Sequence, residues 1–463
     1  MFHFCVKPVP RVLFCSLLGA LPMLANAIDF SVTTTADEYD GSCDAHCSLR
    51  DAVSAANQAP GANRILLQAQ TYLLTRAAPP GASGVALDED GNLNGDLDVA
   101  GELTIQGVTG SVHSRISGQT NERLLEVLPG AVLNLDLLVM DGGATSYNGG
   151  AIENHGQLSL RRMVLEDNQA VTPDALIPVA EADRYRYGQG GAIANYGSLS
   201  IRDLYIQDNL AQGSSAGNQG RGGAIFNQGT VQVRNSTVRR NRVADQALTG
   251  AGGGLYNLGS ADIARSAFLE NYGLRDTRGG AIANEGGTLQ MVNSTLSGHI
   301  RGGLSNGYPG NPVSDLAVAK LINVTIAGNA GGVHNWGELR IRNSLIAGNF
   351  DWDTGAAFNC ENLGDTYRYE AIGLLLNDEP SNCTANVFVP FDQTYSVLMK
   401  SLFLDGDNGG PTKTYALLPG SPALDAAIGD CNNHDQRGFP RPVDGNGDGV
   451  AVCDLGAFEL GAP

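Results

Sequence analysis

The segments GGAIENHG (149–156), GGAIANYG (190–197), GGAIFNQG (222–229) and GGAIANEG (279–286) constrain this chain more than any other feature. Aligned on the asparagine, the motif continues through Asn154, Asn195, Asn227, Asn257, Asn284, Asn306 and Asn335, at steps of 41, 32, 30, 27, 22 and 29 residues. A period of roughly 20 to 50 residues marks a solenoid, propeller or array. The irregular steps favour a solenoid, whose loops vary without breaking the stack. Two further strand signals follow in each unit. One alternates with period two: Leu158-Ser159-Leu160, Leu199-Ser200-Ile201, Val231-Gln232-Val233 and Leu339-Arg340-Ile341. The other ends in asparagine: LEDN (165–168), IQDN (206–209), VRRN (238–241), FLEN (268–271) and IAGN (326–329 and 346–349). Three short strands per turn with Gly and Asn at the corners predict an all-β fold, a right-handed parallel β-helix.

In such a stack the same position recurs about every 4.8 Å. An asparagine there can bond its amide to those above and below, as in stacked Asn ladders. Glycines turn the chain and Ala-Ile fills the core. A row of ligand-binding amides is the functional alternative to this structural reading.

Glycine makes up 61 of 463 residues, about double its usual share, whereas charged residues are 17% and hydrophobic residues 42%. The chain is too apolar for disorder and too glycine-rich for a helical protein. A net charge of −19 repels phosphates and anionic lipid surfaces, which argues against nucleic acid as a partner.

Residues 1–27 read as a secretory signal: Lys7 and Arg11, an apolar run from Val12 to Leu24, and the small-x-small site Ala25-Asn26-Ala27. The apolar run is short of the roughly 20 residues of a membrane span. Cleavage would remove two cations and no acid, taking −19 to −21. No later segment reads as transmembrane, so a secreted protein is expected, at the cell surface, outside the cell or in the periplasm. The mature chain keeps Cys43, Cys47, Cys360, Cys383, Cys431 and Cys453. An even number in an exported chain suggests disulfides. Sequence proximity favours 43–47, 360–383 and 431–453, although six cysteines allow fifteen pairings. Zinc is the weaker rival, since no CxxC spacing occurs.

Both ends of an open solenoid need covering. Residues 28–100 read as an N-terminal cap with the first coil, 101–350 as repeats and 351–463 as an irregular C-terminal cap. Ser48 is a good N-cap with Asp51 at the capping-box position. Leu49, Ala52, Val53 and Ala56 make one apolar helix face, ended by Asn57 and Pro60-Gly61. This helix should cover the coil built around Ile65-Leu66-Leu67.

The repeats at 149–349 resemble right-handed β-helix proteins of the pectin-lyase-like class and the repeats of chlamydial polymorphic outer-membrane proteins. VTTTADEYDGSCDAHCSLRDAVSAAN (32–57) is similar to the CSLREA domain of bacterial exported proteins, with Asp51 where that name has Glu; GDLDVAGELTIQG (95–107) matches its next stretch. NGGPTKTYALLPGSPALDAA (408–427), DQRGFPRP (435–442) and CDLGAFE (453–459) resemble the choice-of-anchor Q domain. The resemblance implies a secreted β-helix protein, and one fold hosts many activities.

Chemistry is less legible. DGNGDGVAVCD (444–454) offers Asp444, Asn446 and Asp448 at the spacing that opens a calcium loop, but position twelve is Leu455. Asp454 or Glu459 would have to complete it, and a polar turn fits equally. Asp88, Asp90, Asn92, Asn94, Asp96 and Asp98 form a weaker calcium candidate, with a solvated acidic loop as the alternative. Calcium is the one cofactor these residues admit. The insertion 170–189 carries Arg184, Tyr185, Arg186 and Tyr187, which could stack on sugars or pair with acidic glycans; a flap without a ligand is the bland reading. Trp336 and Trp352 suit sugar platforms or covers for the last coils. Only Lys320, Lys400 and Lys413 remain after the signal, no Asp-Asp pair occurs, and His299 stands alone at a strand end. Asp203 and Asp208 flank one strand. No acids or bases cluster visibly at equivalent positions of adjacent coils. The sequence therefore favours a non-catalytic surface protein that adheres to glycans or cell-surface proteins. A polysaccharide lyase or glycoside hydrolase is the alternative.

Overall fold

The protein, a computed structural model, is described here at residues 27–461, apart from 81–88, 109–112, 174–186, 215–218, 245–249, 274–277, 310–315, 364–368, 378–380 and 403–405. The signal segment before residue 27, Asp88, Arg184, Tyr185 and Arg186 lie outside the described residues.

The chain is an all-β right-handed parallel β-helix. Ten short parallel strands, from Leu97–Val99 to Cys360–Asn362, stack into one sheet. A longer sheet contains the alternating strands, such as Gln157–Arg161, Ser198–Arg202 and Thr230–Arg234. The middle coils add a strand that the sequence reading lacked: Gln169–Val171, Leu210–Gln212 and Arg242–Ala244 pair in parallel. Three residues without alternation carry too little periodicity to be read. Inward residues fill the core: Leu158, Leu160, Leu199, Ile201, Val231 and Val233 are all buried.

Register locks the coils. Asn154 faces Asn195, which faces Asn227 and then Asn257. Nδ2 of Asn154 donates to Oδ1 of Asn195 at 2.7 Å, and the same bond at 2.7 Å links Asn195, Asn227, Asn257, Asn284, Asn306 and Asn335 in turn. One further rung, Asn362, ends the row. Each amide also reaches backbone: Asn227 Nδ2 donates to Gly229 O and Ser260 O at 3.2 Å. The glycine pair before it reflects crowding. A Cβ on Gly150 would lie 2.2 Å from the Gly191 carbonyl oxygen, and one on Gly191 would lie 2.1 Å from that of Gly223.

A second row runs through the other asparagine motif: Asn168, Asn209, Asn241 and Asn271, linked at 2.9 to 3.0 Å. His299 takes the next rung. Its Nδ1 accepts the Asn271 N–H at 3.0 Å, its Nε2 lies 2.9 Å from Phe268 O, and the row resumes with Asn329 and Asn349. Burial pushes the imidazole down to about 4, partly opposed by its backbone partners. The histidine that looked isolated in sequence is a neutral rung. Asp203 and Asp208 occupy left-handed corners (φ 59°) at either end of Tyr205–Gln207. They bond Asn235 (3.0 Å) and Arg240 (2.6 Å) in the next coil, so both serve the stack.

Helix α1 (Leu49–Gln58) closes the first end. Ser48 Oγ accepts the Asp51 N–H at 3.0 Å, and the Asp51 carboxylate accepts the Ser48 N–H. Leu49, Ala52, Val53 and Ala56 are buried. Arg50 is buried too, on the polar side of α1: it pairs with Asp37 at 2.7 Å and donates to the carbonyls of Gly95 and Asp96. It thereby clamps the cap to the first coil. At the other end, Val387–Val389 pairs with Tyr369–Asn377. The chain then folds back along the outside rather than only plugging the end. Leu398, Tyr415, Leu417, Leu424 and Phe458 pack on Ala267, Leu269, Ala327 and Leu345. Ser297–Tyr415 (2.7 Å), Thr295–Gln436 (2.7 Å) and the Ala457 N–H to Thr325 (2.9 Å) fasten this strap.

The disulfides are Cys43–Cys47, Cys360–Cys383 and Cys431–Cys453. The second ties the last strand of the ten-stranded sheet to the segment beyond it, and the third closes the strap. Among the described residues no helix is long and apolar enough to cross a membrane. The disulfides fit a secreted or extracellular protein.

Asn227→Ala should destabilise the protein by about 1–3 kcal/mol for each buried partner it orphans, read by urea denaturation. Unchanged stability would mean that the row holds nothing. For His299, the folded-state value lies below that of the unfolded chain. Its stabilisation is therefore complete above pH 6.5 and is lost as pH falls towards about 4. The stability difference between wild type and His299→Asn should shift by about 3 kcal/mol over that window.

Candidate functional site

The outward face of the ten-stranded sheet carries a dense group of charges. Strand pairing sets Asp98 beside Glu126 and Glu126 beside Glu153, at equivalent positions of three successive coils. Asp96 lies just before the first strand and Arg123 just before the second. Arg123 is the hub. It pairs with Glu126 (2.7 Å), with Asp96 (3.4 Å) and with Glu153. Asp96, Asp98, Glu126 and Arg123 are buried; Glu153 is partly exposed. His155, two residues after Glu153, reaches Glu153 at 3.2 Å and Glu126 at 3.9 Å, with about a third of its side chain exposed.

Four carboxylates thus surround one guanidinium and one imidazole. Burial pushes Glu153 up, but Arg123 and His155 outweigh it and hold the carboxyl below its usual range. The hydrogen bond to Glu153 raises His155, against burial and Arg123 and with help from Glu126. Glu153 is thus held ionised and His155 is biased towards carrying a proton. Asp96, Asp98 and Glu126 each bring an oxygen within 4.8 Å of the others, a set able to hold a cation.

Aromatic rings border the charges. His155 stacks on Tyr196 at 4.8 Å, and the Tyr196 hydroxyl accepts from Asn148 Nδ2 at 2.7 Å. Tyr147 stacks on Tyr187 at 5.6 Å, with the Arg123 guanidinium 6.0 Å from the Tyr147 ring. Tyr147, Tyr187 and Tyr196 are all half-buried. Further along the same face Phe226 and Tyr256 stack at 5.7 Å and are buried, with Arg221 5.3 Å from the Tyr256 ring.

The residues singled out from sequence fall elsewhere, with three exceptions. Asp96 and Asp98 join the cluster, and Tyr187 lies at its rim. Asp90 is exposed. Asn92 is committed to backbone, its amide bonding both the N–H and the carbonyl of Asp98 at 2.8 and 2.9 Å. In the 444–454 loop, Asp444 accepts the N–H groups of Gly447 and Gly449, Asn446 that of Asp448, and Asp448 that of Val450. Their oxygens fold the loop around Asp425, whose carboxylate accepts from Asn446 and Val452. Asp454 is buried apart, accepting from Asp425 and Leu460, and burial pushes it up to about 6. Trp336 stacks on His334 at 5.9 Å near the far end, and Trp352 is exposed.

The expectation that no acids gather at equivalent positions of adjacent coils is corrected by Asp98, Glu126 and Glu153. The three occupy dissimilar contexts, LDV, LEV and IEN, and the first two precede the recognisable GGAI repeats. Extending the 152–154 strand backwards by hydrophobic pattern to Leu125 and Leu97 is the signal that could have aligned them.

No protein-family model matches the chain. No curated protein matches it either. Among solved structures it is similar to the pectate lyase Pel9A, at 14% identity and a TM-score of 0.38, over 94% of this chain and 96% of that one. It is also similar to the PL6 family alginate lyase AlyGC, at 13% identity and a TM-score of 0.33, over 80% of this chain. The match spans about half of that lyase's length, 54%. These are likenesses of parallel β-helix fold.

Arg123→Gln leaves the carboxylates facing one another. It should destabilise the protein by about 3–5 kcal/mol at pH 7, less at pH 4 where protonation relieves the repulsion. Thermal melts at the two pH values would check this.

Proposed function

We propose that this is an exported β-helix protein that interacts with glycans through the outward face of its ten-stranded sheet, centred on Glu153 and His155. The partly exposed Glu153–His155–Tyr196 group, flanked by Tyr147 and Tyr187, carries this reading. It sets ring faces beside hydrogen-bonding groups of opposite charge, which is what sugar rings and their hydroxyls require. The buried acids and Arg123 beneath it fix the geometry, and a calcium ion at Asp96, Asp98 and Glu126 would add a Lewis-acidic partner for an acidic sugar. The Cys47–Val53 helix start and the C-terminal strap support kinship with exported proteins that carry CSLREA and choice-of-anchor Q segments. Adhesion to a surface polysaccharide is the role that follows.

One observation favours a second reading, a polysaccharide lyase or glycoside hydrolase. Glu153, held ionised, bonds His155, whose affinity for a proton is raised, and a carboxylate–imidazole pair is one form of acid–base machinery.

A polysaccharide panel, assayed with calcium or with chelator, would test both. Binding without new reducing ends or unsaturated products is expected, weakened at least tenfold by Glu153→Gln and by His155→Ala. Turnover abolished by either substitution would establish the second reading. Binding unaffected by both would sink the site.

A further inference from the structure

The long sheet carries a second feature far along the stack. Its outward face forms a groove of about 240 Å³ across Val318–Ala327, Glu338–Ala347 and Tyr369–Asn377. Lys320, Arg340 and Glu370 stand in one column of successive coils, and Ile322, Arg342 and Ile372 in the next. Three cations therefore face one carboxylate in a chain whose net charge is −19. Lys320 is one of only three lysines after the signal segment. Arg340 is engaged at its edge by Glu338 (2.6 Å). Arg342 lines the groove with its Nε buried and without a hydrogen-bond partner among the described residues. A buried guanidinium N–H left unmatched is costly, so the groove holds an unmet demand for an acceptor. The isoleucines give the same groove an apolar floor, with Ile372 40% exposed.

We propose that this groove binds one carboxylate-bearing sugar unit of an acidic polysaccharide. Arg342 and Lys320 would take the carboxylate, a planar acceptor that a guanidinium can meet with two parallel bonds. Ile322 and Ile372 would take the apolar face of the ring. The volume lies below the roughly 300–1,000 Å³ of ordinary ligand pockets, so it suits a single ring and not a folded peptide segment. Cations in successive coils at about 4.8 Å favour a chain that runs along the stack. Glu370 at the far end of the column would repel a second carboxylate and so limit the charged contact to one unit. The groove is separate from the Glu153–His155 site and involves none of its residues, so either can fail alone.

Calorimetry with the full mature protein would test it, using tri-galacturonate, a neutral glucan trimer and a hexaglutamate peptide. Tri-galacturonate should bind and weaken as salt rises; the neutral trimer and the peptide should bind at least tenfold more weakly. Arg342→Gln and Lys320→Gln should each reduce binding about tenfold. Both are read against a Glu153→Gln background, which removes the other proposed glycan site. Glu370→Gln, which removes the opposing charge from the exposed face, should strengthen binding and guards against misreading an unfolded variant. Equal affinity for the neutral trimer, preference for hexaglutamate, or indifference to Arg342→Gln and Glu370→Gln would each overturn the proposal.

Discussion

Register between coils is the constraint on which everything else depends. Parallel strands from successive turns pair residue for residue, so each position in a coil becomes a column along the molecule. Buried amides are tolerable only because each finds a partner in the next coil: Asn154 through Asn362 in one row, and Asn168 through Asn349, with His299 as one rung, in the other. An amide without its neighbour would be a desolvated donor in an apolar core. The same contact makes the glycines obligatory, since the carbonyl of the next coil sits where a side chain would begin. A one-residue slip would break both rows and turn every core leucine outward.

That register also creates the candidate site. Asp98, Glu126 and Glu153 are 27 or more residues apart in sequence, yet strand pairing makes them neighbours. Buried like charges require compensation, and Arg123 supplies it from the strand start of the middle coil. α1 and the Arg50–Asp37 pair lie at the same end of the solenoid, where Arg50 also bonds the Asp96 carbonyl. A cluster of this charge density needs a rigid frame, and the cap and the first coils provide one. The basic groove follows the same logic with the opposite sign. Lys320 and Arg340 are unremarkable in their own segments and become a pair only through stacking.

The strap formed by the C-terminal residues has a different physical origin. A β-helix is self-similar, so any coil could in principle continue the stack. Here Ala267, Leu269, Ala327 and Leu345 point outward and apolar, and the returning chain covers them. Coverage on that side leaves the ten-stranded sheet and the groove as the faces that carry functional groups.

Periodicity alone determined the solenoid, its core positions and the asparagine column, because these recur at every turn and a repeated signal survives irregular loops. Ser48, Asp51 and the apolar face of α1 were equally legible, since a helix cap is a local bond pattern. Proximity in sequence suggested the disulfide pairs, and the fold brought those cysteines together. Tertiary structure decided the rest. His299 became an asparagine surrogate because its neighbours fixed its place in the row. Asp444, Asn446 and Asp448 accept N–H groups of their own loop, bonds that only the folded loop displays. The acidic site and the basic groove each join side chains from three coils, and pairing across coils is set by stacking, a relation that no stretch of sequence encodes by itself.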